Sequence, residues 1–450
     1  MESVEQALVR RHAASLPRYT SYPTANHFDG SVGAADYKRW LADIGGDTAL
    51  SVYLHIPFCE ALCWYCACST KATRRYGPIG QYLEAVEAEM LTVCQLLRRR
   101  HRLTHLHWGG GSPDILAAED IRRLGRLLDN CFEIPPGTEF AVEIDPRLMT
   151  PEKADSLVES GVNRISVGVQ DFDPMVQKAI GREQSYEASR KAIDMFCDRG
   201  IRSVNVDLVY GLPHQTESTL ERTIGQVVAL SPHRIAVFGY AHLPQRAPNQ
   251  KLIDAAALPG PAQRYSMARR LTALLEQAGY RQLGLDHFAR PGDSLATQQL
   301  NRNFQGYTTD RADVLIGLGA SAIGRLPQGF VQNAVSASDY ARRVQQEGLA
   351  TVRGWALTAD DRLRGFVIER LMCDFSFSSR TLAEHFGGAA SDLRREADAI
   401  IAEDIDGLVE RTADGFRLTP AGRPFVRNFC ARFDAHLNRL AAASQHSISV

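Results

Sequence analysis

The sequence predicts an α/β protein: a parallel sheet, closed or partly closed into a barrel, with a smaller and mostly helical unit behind it. Three observations carry that reading. Short apolar runs alternate with amphipathic stretches from about residue 50 onward, the pattern of βαβ units. Several of those runs are nearly continuous in apolar residues, as parallel strands covered on both faces are. After Ala350 the texture changes to helical segments and one small hairpin.

The elements follow in order. Residues 1–49 read as an extension with little periodicity. The strand candidates are ALSVYLHI, THLHWGG, FAVEID, NRISVGVQ, SVNVDLVYG, RIAVFGYA, QLGLDHF and DVLIGLGA. Between them lie amphipathic segments such as Gln81–Arg98, Ala118–Cys131, Pro151–Gly161, Glu217–Leu230 and Pro261–Gly279. Residues 50–350 therefore form the expected barrel, and 351–450 a helical unit whose hairpin, in GLVERTADGFRLTPAG, has a winged-helix look. No basic face accompanies that wing, so DNA binding is not expected.

Composition bounds the function. The 450 residues are 44% hydrophobic and 23% charged, with a formal net charge of −1. Such a chain has a full core and no electrostatic footprint for nucleic acid or an anionic membrane. It has no apolar run long enough to span a bilayer, and MESVEQALVRRHAASLPRY lacks the apolar stretch of a signal peptide. Nine cysteines without an export signal point to the reducing cytoplasm. There, metal or redox chemistry is a better reading of clustered cysteines than disulfides.

Four of the nine crowd into HIPFCEALCWYCACST, at Cys59, Cys63, Cys66 and Cys68, directly after the first strand. Structural zinc usually takes two well-separated cysteine pairs. Here the pattern is C-x3-C-x2-C-x-C on one loop. On a helical wheel at about 100° per residue, Cys63 and Cys66 fall near Cys59 and Cys68 falls opposite. A compact turn can thus converge three thiolates and leave out the fourth. Three protein ligands on a four-iron cluster leave one iron open for a substrate or cofactor.

Chemistry in such barrels collects at the C-terminal ends of strands. HWGGGSP puts three glycines after the second strand, where bare backbone lets a cofactor approach and its N–H groups meet a carboxylate or ribose. Glu143 ends the third strand and Asp207 lies in the fifth. Gln170 ends the fourth strand, with Arg182 following in GREQ. A carboxylate inside a barrel is expensive unless paired or ligand-bound.

C-x3-C-x2-C after a first barrel strand is the signature of the radical S-adenosylmethionine superfamily. Across nearly the whole chain the sequence resembles one family within it, the oxygen-independent coproporphyrinogen III oxidases. The resemblance rests on PRYTSYPT, YLHIPFC, HWGGGSP, EIDPR, GVQDF, GREQ, DLVYGLP, YAHLP, DHFARP, RNFQGYTT and the trailing Cys68. It implies an oxidoreductase of haem biosynthesis that decarboxylates two propionates, on rings A and B of coproporphyrinogen III, to vinyl groups, giving protoporphyrinogen IX. It further implies a [4Fe–4S] cluster on Cys59, Cys63 and Cys66, with Cys68 needed for activity but not a ligand.

Two molecules of S-adenosylmethionine are implied as well. Tyr53, Gly110, Glu143 and Ile323 would meet the first. Tyr65, Gly111, Ser112, Gln170, Arg182, Asp207 and Ala241 would meet the second. A one-electron donor such as flavodoxin or ferredoxin would reduce the cluster of a monomeric cytoplasmic enzyme. Substrate carboxylates call for arginine forks, and Arg18, Arg290 and Arg302 are the candidates. One departure stands out: the family's usual glycine between the third and fourth cysteines is Ala67 here, tolerable unless that position needs positive φ. The rival readings are a haem-binding relative without decarboxylation, a radical enzyme that opens or methylates a tetrapyrrole, and a zinc module. The C-x-C ending and PRYTSYPT argue against the first.

Overall fold

The computed structural model describes residues 4–437; residues 438–450 of the expected C-terminal unit lie outside them. Twelve strands make one sheet. In chain order they are β1 (Leu50–Ile56), β2 (Leu103–Gly110), β3 (Glu139–Ile144), β4 (Arg164–Gln170), β5 (Ser203–Tyr210), β6 (Arg234–Gly239), β7 (Arg281–Leu283), β8 (His287–Ala289), β9 (Val314–Leu318), β10 (Ile323–Leu326), β11 (Gly329–Asn333) and β12 (Thr351–Ala356). Their spatial order is β12-β11-β10-β9-β1-β2-β3-β4-β5-β6-β8-β7.

From β9 through β1 to β6 every pairing is parallel. Helices fill the crossovers, among them Gly77–Leu97, Ala118–Cys131, Pro151–Glu159, Tyr186–Cys197 and Glu217–Ala229. Three of these start on a hydroxyl cap: Thr150, Ser185 and Thr216 each accept a backbone N–H three residues on. Each cap is worth about 1 kcal/mol.

The parallel strands are not covered alike on both faces. Along β3, Phe140, Val142 and Ile144 are buried in the main core, whereas Glu139, Ala141 and Glu143 line a central cavity. β5 repeats this, with Val204, Val206 and Leu208 outward and Asn205, Asp207 and Val209 inward. The period of two puts successive residues on opposite faces, so a run that reads as apolar carries a polar inner face. Near the N-terminal ends of the strands that face closes on itself through Arg164–Glu139 (2.6 Å), Arg234–Asp293 (2.7 Å) and His105–Asp310 (3.2 Å).

Both edges of the sheet turn antiparallel. QLGLDHF, expected as one strand, is two: β7 and β8 pair antiparallel after the chain reverses through Gly284–Asp286. The sheet also runs past residue 350, since β12 pairs with β11.

The N-terminal 49 residues hold two nine-residue helices, Val4–His12 and Ala34–Ala42. At little more than two turns each, they are too short to display a helical period. Leu8, Val9, Tyr19 and Tyr22 sink into the core of the C-terminal unit, while Tyr37, Trp40 and Leu41 join the core of the sheet. The C-terminal unit packs helices Ala359–Asp374, Ser379–Phe386, Ser391–Glu403 and Val426–Arg432 on a three-stranded sheet. Phe377 stacks on Phe416 and Phe433 at its centre. Among the described residues no helix is long and apolar enough to cross a membrane.

Candidate active site

The C-terminal ends of β1–β6 open on a cavity of about 640 Å³. The cysteine loop lies across it and is not helical. Cys63 is buried, Cys59 and Cys66 are half-buried, and Cys68 is exposed. Cys68 does not swing to the far side as the helical wheel suggested: its backbone N–H reaches the Cys66 sulfur at 3.4 Å, and all four cysteines line the cavity. The Cys68 thiol hydrogen-bonds to Cys66, which draws Cys66 down to about 7 and raises Cys68 well above the usual thiol range. Ala67 is not among the residues with positive φ, so alanine fits where the family carries glycine.

Two residues not singled out from the sequence hold this loop. Asn249 donates through one side-chain nitrogen to the carbonyls of Cys63 (3.0 Å), Trp64 (3.2 Å) and Cys66 (2.8 Å). Gln250 donates to the carbonyls of Tyr65 (2.8 Å) and Ala241 (3.1 Å). From beneath, Tyr53 donates to His55 Nδ1 (3.0 Å) while His55 Nε2 donates to the Ser69 carbonyl (2.9 Å). Burial lowers the His55 pKa and keeps the ring neutral, consistent with that tautomer.

The glycine turn after β2 packs against the same loop. Gly111 N–H donates to the Ile56 carbonyl and Ser112 N–H to that of Phe58. Gly110 has φ +117, and a Cβ there would stand 2.6 Å from the His55 ring; one on Gly111 would stand 2.5 Å from the Phe58 carbonyl oxygen. Bare backbone is what lets the turn close on the loop. Glu143 accepts from His107 Nε2 (3.1 Å) and Gly110 N–H (3.2 Å). Burial pushes its carboxyl up, but His107 and the Gly110 N–H outweigh burial and hold it below the ordinary range.

On the opposite wall Gln170 ends β4 with φ +70, beside an irregularity in the β4–β5 register. A non-glycine residue held there is strained. Asp207 accepts from Ser166 Oγ (2.8 Å) and Asn205 Nδ2 (2.7 Å), and burial raises its pKa. Arg182 is buried and bridges the walls. It donates to the Gly168 carbonyl (2.8 Å), pairs with Asp145 (3.3 Å) and reaches the Cys63 sulfur (3.5 Å). Arg147 completes the Asp145 pairing at 2.6 Å.

The donor set suits an iron–sulfur cluster. Three soft thiols share one loop, and the guanidinium of Arg182 stands ready to balance negative charge on sulfur. Among the described residues no three His, Cys, Asp or Glu side chains close on a single ion; a cluster spreads its irons, one thiolate to each. The N–H groups of Gly110, Gly111 and Ser112, expected to meet a cofactor, are taken by Glu143, Ile56 and Phe58, so the turn presents its cavity-facing edge and not free donors.

Of the other expected site residues, Tyr53, Tyr65, Gly110, Gly111, Ser112, Glu143, Gln170, Arg182, Asp207 and Ala241 line this one cavity. Ile323, at the start of β10, does not line it. Arg18 lines it, and Arg302 lines an adjoining cavity. Arg290 belongs elsewhere: it bonds the Pro232 carbonyl (3.1 Å) and stacks on Tyr280 ahead of β6, toward the N-terminal end of the barrel. In sequence it is the last residue of DHFAR, directly after β8, but β8 runs antiparallel and carries it away from the rim.

A family model for the radical SAM superfamily matches residues 53–227, and one for the HemN C-terminal domain matches residues 357–425. An oxygen-independent coproporphyrinogen III oxidase of Paracoccus denitrificans is 45% identical over 441 residues, 97% of each chain. One of Escherichia coli is 39% identical over 446 residues, 98% of this chain and 97% of that one. A solved structure of coproporphyrinogen III oxidase (HemN) from Escherichia coli, described as a radical SAM enzyme, superposes with a TM-score of 0.89 at 38% identity, over 93% of this chain and 98% of that one.

Proposed function

The chain belongs to the family of oxygen-independent coproporphyrinogen III oxidases, and on that premise we propose that it converts two propionates of coproporphyrinogen III to vinyl groups, giving protoporphyrinogen IX. Each conversion removes one hydrogen atom, one carbon dioxide and one further electron from a propionate side chain. When bound, a reduced [4Fe–4S] cluster and S-adenosylmethionine supply the one-electron chemistry that takes the hydrogen.

Cys59, Cys63 and Cys66 hold the cluster. Tyr53, Gly110 and Glu143 orient one cofactor, while Tyr65, Gly111, Ser112, Gln170, Arg182, Asp207 and Ala241 orient a second. Glu143, held ionised by His107 and Gly110, offers acceptors to an ammonium or hydroxyl. Arg182 offers a fork to a carboxylate, and the walls of the cavity keep water from the reacting carbon. Cys68 stands at the edge of the cavity, exposed and beside Cys66, where it can serve the substrate instead of the cluster.

The observation that carries this reading is the convergence of the three thiols with ten expected cofactor residues on one cavity. The nine free cysteines suit a reducing cytoplasm. A flavodoxin or ferredoxin would supply electrons to an enzyme acting as a monomer. The deciding experiment is anaerobic: reconstituted protein, dithionite, S-adenosylmethionine and coproporphyrinogen III, with products separated by chromatography. Protoporphyrinogen IX is expected, with carbon dioxide and 5′-deoxyadenosine released in equal amounts. Cofactor cleavage with the tetrapyrrole returned unchanged would overturn the reading and favour a tetrapyrrole-binding relative.

A further inference from the structure

The cysteine loop is tied to a segment that the cofactor cavity does not use. The two-residue strand Phe58–Cys59 pairs parallel with Lys71–Ala72. Lys71 N–H donates to the Pro57 carbonyl (2.9 Å) and Thr73 N–H to the Cys59 carbonyl (2.8 Å). Thr70 Oγ1 lies 3.3 Å from the Cys59 sulfur. Thr73 and Arg75 then close a turn on each other: Arg75 N–H donates to Thr73 Oγ1, and that hydroxyl donates to the Arg75 carbonyl. The segment is thus fixed in shape and stands one hydrogen bond away from a cysteine of the candidate cluster site.

Its cations face solvent. Lys71, Arg74 and Arg75 are exposed, and among the described residues their charged ends make no ion pair or hydrogen bond. They line neither the cofactor cavity nor the cavity adjoining it. Many surface arginines elsewhere are matched, as Arg126 is by Glu119 and Arg417 by Glu410. From residue 57 to residue 80 the chain carries these three cations against one acid, Glu60. Tyr76 beside them leaves its side chain 40% exposed, while its hydroxyl donates to Asp120 and accepts from the Ala117 N–H. Tyrosine and arginine are the side chains most enriched where proteins meet. Three unmatched cations at a rigid segment hydrogen-bonded to Cys59 are therefore placed to receive carboxylates from outside, not from the cavity.

We propose that Lys71, Arg74, Arg75 and Tyr76 form the docking surface for the protein that reduces the cluster, a small acidic carrier whose one-electron group sits among carboxylates. The proposal rests on the function proposed above, which needs such a donor. Electron transfer weakens steeply with distance, so the donor must seat against the cysteine loop. The cavity itself is needed by substrate and cofactors, and this segment offers an approach outside it. The step is a single electron. It leaves an anionic flavin hydroquinone, which becomes the neutral semiquinone, for the cluster that Cys59 helps to hold, and no atom moves. Contacts of this kind are small, below about 1,200 Å², and are steered by charge more than held by it. Exposed cations suit that use, because the spent carrier has to leave before the next electron is delivered.

The test uses flavodoxin and the reconstituted holoprotein, wild type against the triple variant Lys71→Glu, Arg74→Glu and Arg75→Glu. A second triple, Arg380→Glu, Arg394→Glu and Arg395→Glu, makes the same change of charge on the C-terminal unit. Binding of oxidised flavodoxin, measured by titration calorimetry, needs no turnover. At low ionic strength the first triple should weaken it by about tenfold or more and the second should not. The difference should shrink with added salt, as the Debye length falls from about 10 Å at 0.1 M to about 3 Å at 1 M. Stopped-flow reduction of the cluster by photoreduced flavodoxin should slow in step. Iron content and the cleavage of S-adenosylmethionine driven by dithionite should match the wild type. No binding of flavodoxin by the wild type, equal affinity in the first triple, or equal weakening by both triples would each overturn the proposal. So would a raised KM for coproporphyrinogen III in dithionite assays of the first triple, which would assign the cations to the substrate. Flavodoxin binding lost in the first triple alone, without vinyl product from the wild type under dithionite, would leave the surface standing and sink the proposed activity.

Discussion

The two walls of the cofactor cavity are built on opposite plans. Over β1–β3 the surface is chiefly backbone and sulfur, the glycine turn, the cysteine loop and carbonyls gathered by Asn249 and His55, with Tyr53, His107 and Glu143 as its polar side chains. Added side-chain atoms there would strike the loop within 3 Å. Over β4–β6 the surface is polar side chains held in place, Asp207 by Ser166 and Asn205 and Arg182 by the Gly168 carbonyl. The first wall uses its bare backbone to close against the cysteine loop, and the second is suited to orienting a charged group. Arg182 crosses between them by its side chain, touching Cys63 and Asp145 on one side and the Gly168 carbonyl on the other, as Gln250 does between the Tyr65 and Ala241 carbonyls. Damage should therefore be separable by wall, except at Arg182 and Gln250.

The largest effect belongs to the first wall. Cys63→Ser removes a buried soft ligand and is expected to abolish iron binding and cofactor cleavage in reconstituted protein. Cys68→Ser, two residues past Cys66, should keep the cluster's absorption and lose product formation. Iron loss in Cys68→Ser comparable to that in Cys63→Ser would make Cys68 a ligand and erase the distinction between them.

Arg182 is the next largest. Arg182→Gln keeps hydrogen-bonding capacity but withdraws the charge that faces Asp145 and Cys63. If the second wall seats its own cofactor, equilibrium dialysis should find about one S-adenosylmethionine per protein in the variant against two in the wild type. Product formation should fall about 10²-fold, as for a lost charged contact to a reacting ligand, while iron stays bound. Two bound equivalents and normal turnover would leave Arg182 as a structural bridge.

What the sequence could reveal follows the same division. The first wall is contiguous: four cysteines within ten residues and three glycines in a row announce themselves. The second wall is legible only as strand-end residues, because Gln170, Arg182 and Asp207 acquire meaning by facing one space. Asn249 and Gln250 gave no signal, since a short 3-10 turn some 185 residues away in sequence meets the loop only in three dimensions. Their amides are ordinary in composition and specific only in place. Arg290 misled because distance along the chain from DHF hides the reversal of β8. QLGLDHF likewise has strand composition on both sides of a turn. The parallel strands and their helices were legible, and the polar inner face was not, because apolar neighbours on the outer face dominate each run.

The smallest expected effect is also the most direct contrast of the walls. Glu143 and Asp207 are both strand carboxylates facing one cavity, yet they are shifted in opposite senses. Glu143 is depressed in the folded chain. Its stabilisation is present above the unfolded carboxyl pKa of about 4.3 and is lost as pH falls through the folded value. Asp207 is raised. Its contribution is fully present below the unfolded value of about 3.9 and is lost as pH rises through the folded one. Ionising Asp207 therefore weighs against folding, and ionising Glu143 favours it. In cofactor-free protein at pH 7, Glu143→Gln should lower Tm and Asp207→Asn should leave it unchanged or raise it, each by on the order of 1 °C in a chain this long. As pH falls through the depressed value of Glu143, below the ordinary carboxylate range, the two variants should converge, because both charges are then neutralised in the wild type. A fall in Tm at pH 7 for Asp207→Asn larger than that for Glu143→Gln would mean that Ser166 and Asn205 stabilise the ionised carboxylate by more than its burial costs, and the two walls would then hold their acids in the same way.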